Sequence, residues 1–169
     1  MSFSSYKQAI YSLQATVTKK EVRAQLPEQQ QNLVSGKFDM TLKTKADLQG
    51  IRIMFDSPIL FDLGSASLKE KAIGPLSQIA KWLSDVPYTV IVEGYTDNTP
   101  IKTKEYSSNW QLSLDRARSV IKYLESTGID KKRLVLSGYG EYHPLYENDT
   151  AQHRALNRRI ELYVVYWEK

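Results

Sequence analysis

Cysteine is absent from the 169-residue chain, and so are several other features that mark particular classes of protein. Without thiols there are no disulfides, no thiolate catalysis and no cysteine-based zinc sites. No apolar run of about 18 residues predicts a membrane-spanning helix, and the N-terminus lacks the apolar core and cleavage site of a secretory signal. Taken alone, the sequence predicts a soluble chain without a targeting segment. An exported role would require it to be a fragment of a longer protein.

Residues that carry most catalytic chemistry are scarce or badly spaced. Neither His143 nor His153 has a spacing that pairs with a nucleophile or builds a zinc site, and no Gly-x-Ser-x-Gly elbow or phosphate-binding Gly-rich loop exists. Glu93 and Asp97 could form a glycosidase pair, but strand spacing sets them about 13 Å apart at ~3.3 Å per residue. That separation is too large for either glycosidase geometry. The sequence therefore favours a binding protein, without metal or cofactor, over an enzyme.

The charge is weakly basic, with 23 lysines and arginines against 19 acidic residues for a net charge of +4. This excess suits an acidic partner but falls short of the dense basic surface of a nucleic-acid-binding protein, so no nucleic acid is expected as a partner. Hydrophobic residues make up 41% and charged residues 25%, which are ordinary globular values. Length and composition predict one compact domain with some appended structure.

The first fifty residues are predicted to be separate from the main domain. A loose apolar stripe predicts a helix over residues 3–25, and a glutamine-rich connector follows it. Alternation over residues 37–43 predicts a half-buried strand, which a turn at 45–50 joins in a hairpin to the next strand. We assign residues 1–50 to an N-terminal helix and extra strand, and residues 51–169 to the main domain.

Strand and helix patterns alternate from residue 51 onwards. The predicted strands cover residues 51–55, 88–93, 134–136 and 159–166, and the predicted helices run over 68–84, from a cap at Ser107 or Ser108 to Ser126, and over 151–156. Gly74-Pro75 predicts a kink or a two-part first helix, and Ser67 with Glu70 predicts its capping box. The connection lengths favour parallel pairing of the first three strands. The fold class is therefore α+β, a mixed β-sheet packed against helices on one side.

One carboxylate and one guanidinium are predicted at neighbouring ends of two packed elements. Asp97 follows the strand that ends in Gly94-Tyr95-Thr96, and Arg116 lies on the helix that begins near Asn109. Such a pair suits a ligand with both an ammonium and a carboxylate, since the planar fork of arginine pairs with both carboxylate oxygens. From the residues alone, a structural salt bridge between Asp97 and Arg116 is an equally good interpretation.

Five motifs resemble, in order and spacing, those of a known family. They are residues 60–66, 94–98, 109–117, 138–141 and 157–161. Together they resemble the OmpA-like peptidoglycan-binding domain, over roughly residues 51–166. Residues 97–101 with 108–110 are most similar to the periplasmic C-terminal part of flagellar motor stator proteins of the MotB type. Type VI secretion proteins of the TssL type and phage-defence stator-like proteins have similar strings.

This resemblance implies a site for a peptidoglycan stem peptide, in which diaminopimelate often ends in a zwitterion. Family members use the positions of Asp97 and Arg116 to bind the ammonium and the carboxylate respectively. The resemblance further implies neutral hydrogen bonds from Thr96 and Asn109, and walls from Phe61, Asp62 and Leu112. Arg158 and Arg159 alternate to opposite faces, so one of them is expected to line the groove and contact glycan or peptide. The sequence does not say which.

The resemblance also implies partners and a location. Stator proteins of this type form a homodimer and work with a MotA-like channel through a membrane helix that this chain does not contain. The chain is thus expected to be the periplasmic domain of a single-pass inner-membrane protein. Its expected function is non-catalytic anchoring of a flagellar stator unit to the cell wall. A wall-anchoring or interaction module in type VI secretion or phage defence stays open as the alternative, which the upstream sequence would decide.

Overall fold

The structure is a computed structural model, and it describes residues 43–46 and 49–165. The helix predicted over 3–25, the connector after it and nearly all of the strand predicted over 37–43 lie outside the described residues. So does the end of the last predicted strand, beyond Val165. The division of the chain at residue 50 therefore stays a prediction.

A five-stranded mixed sheet forms the centre of the described chain. Its strands are β1 (Lys43–Ala46), β2 (Gly50–Asp56), β3 (Thr89–Tyr95), β4 (Leu134–Gly140) and β5 (Arg159–Val165). They lie in the order β1-β2-β5-β3-β4. β3 and β4 are parallel, and the other neighbouring pairs of the described sheet are antiparallel. The predicted mixed α+β class is confirmed.

The parallel pairing predicted for β2 with β3 is wrong. β3 and β4 pair in parallel as expected, but β5 inserts between β2 and β3 and runs antiparallel to both. Ile160 and Leu162 lie on one face of β5 and Arg159 and Glu161 on the other, and all four are at most 2% exposed. A strand buried on both faces is well placed inside a sheet, where its two edges are hydrogen-bonded. β1 also extends to Ala46, beyond the end predicted for this strand at residue 43.

Four α-helices and two 3-10 turns connect the strands that the structure describes. The helices are α1 (Ser57–Leu60), α2 (Ile73–Ser84), α3 (Asn109–Ser126) and α4 (Ala151–Asn157), and the 3-10 turns are Glu70–Ala72 and Lys131–Arg133. Ser108 caps α3 by accepting a hydrogen bond from Gln111 N at 3.2 Å, and Gly128, with a φ of 97°, follows its end. Both observations confirm the predicted limits of α3.

The helix predicted over 68–84 is divided in two. The 3-10 turn Glu70–Ala72 precedes α2, whose first turn contains Pro75. Proline is tolerated there because the first N–H groups of a helix have no partner within the helix. The two-part helix is therefore confirmed, but the predicted cap is wrong. No side chain caps either of these two segments, and Ser67 instead donates its main-chain N–H to Ser65 Oγ at 3.0 Å.

The sheet has one apolar face and one charged face. The apolar face packs against α2 and α3. The fully buried side chains of this core include Ile51, Ile53, Phe55, Val90, Val92, Ile160 and Leu162 from the sheet and Leu76, Leu83, Val120 and Leu124 from the two helices. The charged face carries Arg52, Glu93, Arg159 and Glu161, which we call the ionic cluster. Arg52 donates to Glu93 and Glu161 at 2.8 and 2.9 Å, and Arg159 donates to Glu161 at 2.7 Å. Two cations and two anions thus compensate one another.

Helix α3 lies against the backbone of β3 and β4. A methyl group at Gly94 would lie 2.0 Å from Ser113 O, and one at Gly138 would lie 2.9 Å from Leu114 Cα. Only glycine leaves room for a helix backbone this close to the sheet. The approach fixes α3, and with it Arg116, relative to the loop that follows β3.

Candidate functional site

Asp97 lies in the loop that leaves the end of β3. Its Oδ1 accepts a hydrogen bond from Thr99 N at 2.8 Å, and its Oδ2 accepts one from Arg158 Nη1. The preceding Thr96 ties the loop to the sheet, because its N–H donates to Gly140 O at 2.9 Å and its hydroxyl donates to Asp97 O at 2.9 Å. The carboxylate is therefore held in one orientation, with 7% of its side chain exposed.

Arg116 projects from α3 and is held by main-chain carbonyls. Its Nε donates to Ser65 O at 2.8 Å and its Nη2 to Asp62 O at 3.3 Å, while the guanidinium lies 5.2 Å from the centre of the Phe61 ring. Burial lowers the pKa of Arg116 to about 10, with Tyr106 acting in the opposite direction. The guanidinium therefore remains charged at neutral pH.

Asp97 and Arg116 are not joined to each other. Among the described residues, the ion-pair partner of Asp97 is Arg158, and Arg116 has no carboxylate oxygen within 4.0 Å. The two charges still lie near enough for Asp97 to raise the pKa of Arg116, although burial outweighs that effect. A structural salt bridge between the two residues is therefore not what the structure shows.

Asn109, at the start of α3, braces the loop after β3. Its side-chain N–H groups donate to Thr99 O at 2.9 Å, to Asp97 O at 3.4 Å and to Glu141 Oε2 at 3.0 Å. Sequence reasoning expected this amide to serve the ligand. In the structure its donors are used by the protein, and it links the loop after β3 to the residue that follows β4.

The three predicted wall residues differ in what they contribute. Phe61 belongs to the main core and is 2% exposed, with its ring against Arg116. Leu112 is 4% exposed and packs with Ala66 in a small separate cluster. Asp62 takes part through its main-chain carbonyl, because its carboxylate is largely exposed and pairs with Lys69 at 3.3 Å.

The two arginines of the 157–161 motif are separated as alternation predicted. Arg158 turns toward Asp97, and 29% of its side chain is exposed. Arg159 lies on the charged face of the sheet, where it pairs with Glu161 and only 3% of its side chain is exposed. The structure thus places Arg158 beside the site and Arg159 in the ionic cluster.

Asn157 is a supporting residue that sequence reasoning did not single out. It is fully buried, its Oδ1 accepts from Leu145 N at 2.8 Å and Tyr146 N at 3.0 Å, and its Nδ2 donates to Tyr146 O and Asn148 Oδ1 at 2.8 and 3.0 Å. Asn148 in turn accepts from Asn98 N at 3.4 Å. The only sequence signal was its position at the head of the motif that contains Arg158.

Two further observations bear on the kind of site. Among the described residues, no group of three or more acidic or histidine side chains is placed to hold a metal ion. None of the described helices has the length and apolarity that crossing a bilayer requires.

Known proteins are similar to this chain in both sequence and fold. The OmpA family matches residues 60–158. Motility protein B of Bacillus subtilis (strain 168) is 37% identical over 131 residues, which cover 76% of this chain and 50% of that protein. The chain spans about half the length of the curated relatives it matches first.

Two solved structures are similar to the described fold. The cell wall anchor of the type VI secretion system from Pseudomonas aeruginosa has a TM-score of 0.71 and 34% identity, and the match covers 74% of this chain and 87% of that one. The periplasmic domain of Helicobacter pylori MotB has a TM-score of 0.68 and 27% identity, and covers 75% of this chain and 80% of that one. The resemblance inferred from the motifs is confirmed, and because the family match covers more than half of its residues, the chain belongs to the OmpA family.

Proposed function

We propose that this chain binds peptidoglycan without catalysis and anchors a stator unit of the flagellar motor to the cell wall. The observation that carries the proposal is the separation of Asp97 and Arg116. Each is at least nine-tenths buried and held by other groups of the protein, so neither neutralises the other. Two opposite charges held apart at one site suit a zwitterionic amino acid, such as the diaminopimelate of stem peptides.

Arg116 is the proposed receptor for the ligand's carboxylate. Its Nε and Nη2 donate to carbonyls, whereas its Nη1 makes no hydrogen bond to any residue that the structure describes. Because those carbonyls and the Phe61 ring orient the guanidinium beforehand, little side-chain entropy is lost when a ligand arrives. A carboxylate at the free edge of the guanidinium would form short charge-assisted hydrogen bonds.

Asp97 is the proposed receptor for the ammonium. An ionised carboxylate has about four acceptor positions, and Thr99 N and Arg158 Nη1 use one each. Thr96 and Asn109 are proposed to act by holding the loop that carries Asp97. Phe61 and Leu112 are proposed as walls.

The stator role is supported by the relatives. Motility protein B of B. subtilis and the periplasmic domain of H. pylori MotB match about three quarters of this chain. We therefore propose that the chain is the periplasmic part of a single-pass inner-membrane protein that forms a homodimer and works with a MotA-like channel. Likeness to the P. aeruginosa cell wall anchor supports a second candidate, the anchoring of a type VI secretion system. Deleting the gene separates the two, because the stator role predicts lost swimming and the other role predicts lost secretion.

Co-sedimentation with purified sacculi tests the binding site. We expect the wild-type protein to pellet with sacculi, Arg116→Ala to stay in the supernatant, and Asp97→Asn to pellet less than the wild type, with both variants keeping wild-type circular dichroism. Arg118→Ala is the matched control, because Arg118 lies on the same helix but is 45% exposed and paired with Asp115. The assignment is wrong if both site variants pellet like the wild type. Release of soluble muropeptides from the sacculi would contradict the absence of catalysis.

A further inference from the structure

Arg158 already contacts the carboxylate proposed to receive the ligand's ammonium. It follows α4 immediately and precedes β5, and its carbonyl accepts a hydrogen bond from Ser57 N at 2.8 Å, so its backbone is fixed. Its Nη1 donates to Asp97 Oδ2. An ammonium that enters the site must therefore share Asp97 with a guanidinium.

The charges around the site are unequally matched. Asp97 and Arg158 compensate each other, whereas Arg116 has no carboxylate partner within the described part of the chain. A further carboxylate near the loop, that of Glu141, accepts from the amide of Asn109 at 3.0 Å. Arg116 is thus the one buried cation of the site that lacks a carboxylate among the described residues.

Because of this imbalance, the carboxylate of a zwitterionic ligand should bind more strongly than its ammonium. The ligand's carboxylate meets a guanidinium with unused donors, and charge-assisted hydrogen bonds of this kind are about twice as strong as neutral ones. The ligand's ammonium meets a carboxylate that is already compensated, and it also approaches the positive charge of Arg158. Like charges a few ångströms apart repel, which reduces what the ammonium gains from Asp97.

We propose that Arg158 sets the selectivity of the site: by pairing with Asp97, it makes a free carboxylate the required group of the ligand and the amine a secondary one. The inference rests on the peptidoglycan-binding function proposed above and names its ligand class. The site selects stem-peptide side chains that end in a free carboxylate, whether or not an amine stands beside it. Side chains that end in an amine alone are rejected.

Three soluble stem tripeptides test this selectivity without adding bulk to the ligand. Their third residue is meso-diaminopimelate, lysine, which lacks the side-chain carboxylate, or 2-aminopimelate, which lacks the side-chain amine. Their dissociation constants are measured by calorimetry, or by competition with sacculi, on the whole chain. We expect the 2-aminopimelate peptide to bind within about threefold of the diaminopimelate peptide, and the lysine peptide to bind at least about tenfold more weakly.

Substitution of Arg158 tests whether this residue sets the order of affinities among the three peptides. In Arg158→Gln the charge of Asp97 is uncompensated, so the amine should matter more, and the 2-aminopimelate peptide should fall at least about tenfold below the diaminopimelate peptide. Arg158→Lys keeps the positive charge and should restore the wild-type order. Arg118→Gln, the exposed control on α3, should leave the order unchanged. If Arg158 had a purely structural role, its substitution would weaken the binding of all three peptides equally.

The outcomes separate this inference from the proposed function. The inference is overturned if the wild type loses the same affinity when the ligand lacks its amine as when it lacks its carboxylate. It is also overturned if the order of peptide affinities is unchanged in Arg158→Gln. If the wild type binds neither sacculi nor the diaminopimelate peptide, the proposed function itself fails. The wild-type peptide series decides the selectivity even if Arg158→Gln does not fold.

Discussion

Two neighbouring arginines belong to two differently built charged regions of this molecule. Arg159 donates to Glu161 at 2.7 Å and to the carbonyls of Asn157 and His143, and its guanidinium lies 3.7 Å from the centre of the Tyr95 ring. In that ionic cluster, cations and anions are equal in number and mostly shielded from solvent. In the proposed site, Arg158 compensates Asp97 and leaves a third charge without a carboxylate. Each charge of the ionic cluster has an opposite charge beside it, whereas Arg116 in the proposed site has none among the described residues. This difference in pairing, more than residue type or sequence position, distinguishes a structural charge from a candidate binding charge.

The largest effect should come from opening the ionic cluster. Glu161→Ala leaves Arg159 buried without its carboxylate, and breaking a buried ion pair typically costs about 3–5 kcal/mol. The free energy of unfolding, measured by urea denaturation, should fall by that amount. Glu125→Ala, at an exposed position near the end of α3, should change it by less than about 0.5 kcal/mol. A loss below about 1 kcal/mol for Glu161→Ala would mean that the cluster is not a stabilising unit.

A smaller effect is expected where the helix of the site approaches the sheet. Gly94→Ala would place a methyl group 2.0 Å from Ser113 O, so α3 must move. Overpacking of this kind costs about 1–3 kcal/mol, and the shift of Arg116 should also weaken pelleting with sacculi. Gly74→Ala in α2 is the control, because no residue beyond its own helical neighbours lies within 4 Å of the added methyl group. We expect a smaller change in stability than for Gly94→Ala, since the preference of alanine for a helix is offset by the contact of its Cβ with Pro75, the next residue.

The pH dependence of binding should distinguish arginine from lysine in the site. The pKa of Arg116, lowered by burial to about 10, keeps the wild-type site charged up to pH 9 or so. Lysine starts from a pKa of about 10.4 and burial lowers it further, so Arg116→Lys loses its charge as the pH rises. Pelleting should be constant for the wild type between pH 7 and 9 and should fall for the variant. Parallel profiles would show that this side chain does not bind the carboxylate.

The smallest effect should be on stability when Arg158 is changed. Arg158→Gln removes the cation beside a carboxylate whose side chain is only 7% exposed, but Arg158 itself is 29% exposed and glutamine can still donate a hydrogen bond, so the loss should be about 1 kcal/mol, below that for a fully buried pair. Urea denaturation should therefore show a far smaller change than for Glu161→Ala. Similar losses for both variants would mean that the two charged regions are not different in kind.

The local features of the fold were accessible from sequence because they depend on nearby residues. The cap at Ser108 and the position of Gly128 after α3 follow from preferences that act within one helical turn. The insertion of β5 was not accessible, because periodicity reports which face of a strand is buried and not which strand it pairs with. The predicted start of α2 was too early, because a 3-10 turn precedes the helix and Pro75 lies in the first turn of α2.

The site shows the same division between local and distant information. Asp97 and Arg116 were predicted from motifs, and the structure places them near enough for Asp97 to raise the pKa of Arg116, without joining them. The partner of Asp97 could not be predicted, because Arg158 lies 61 residues further on and reaches it through the insertion of β5. The part played by the Asp62 carbonyl was also hidden, since main-chain groups carry no sequence signature.

A titration followed by nuclear magnetic resonance would examine the proposed site at the level of single groups. Labelled protein is titrated with the diaminopimelate tripeptide while the Arg116 Nε–H and the main-chain amides of residues 96–99 are observed. We expect saturable shifts at these signals and little change in the amides of β2 and β5 that flank the ionic cluster. If the peptide leaves the Arg116 signal unchanged while the protein still pellets with sacculi, the wall is bound elsewhere and the site is wrongly assigned.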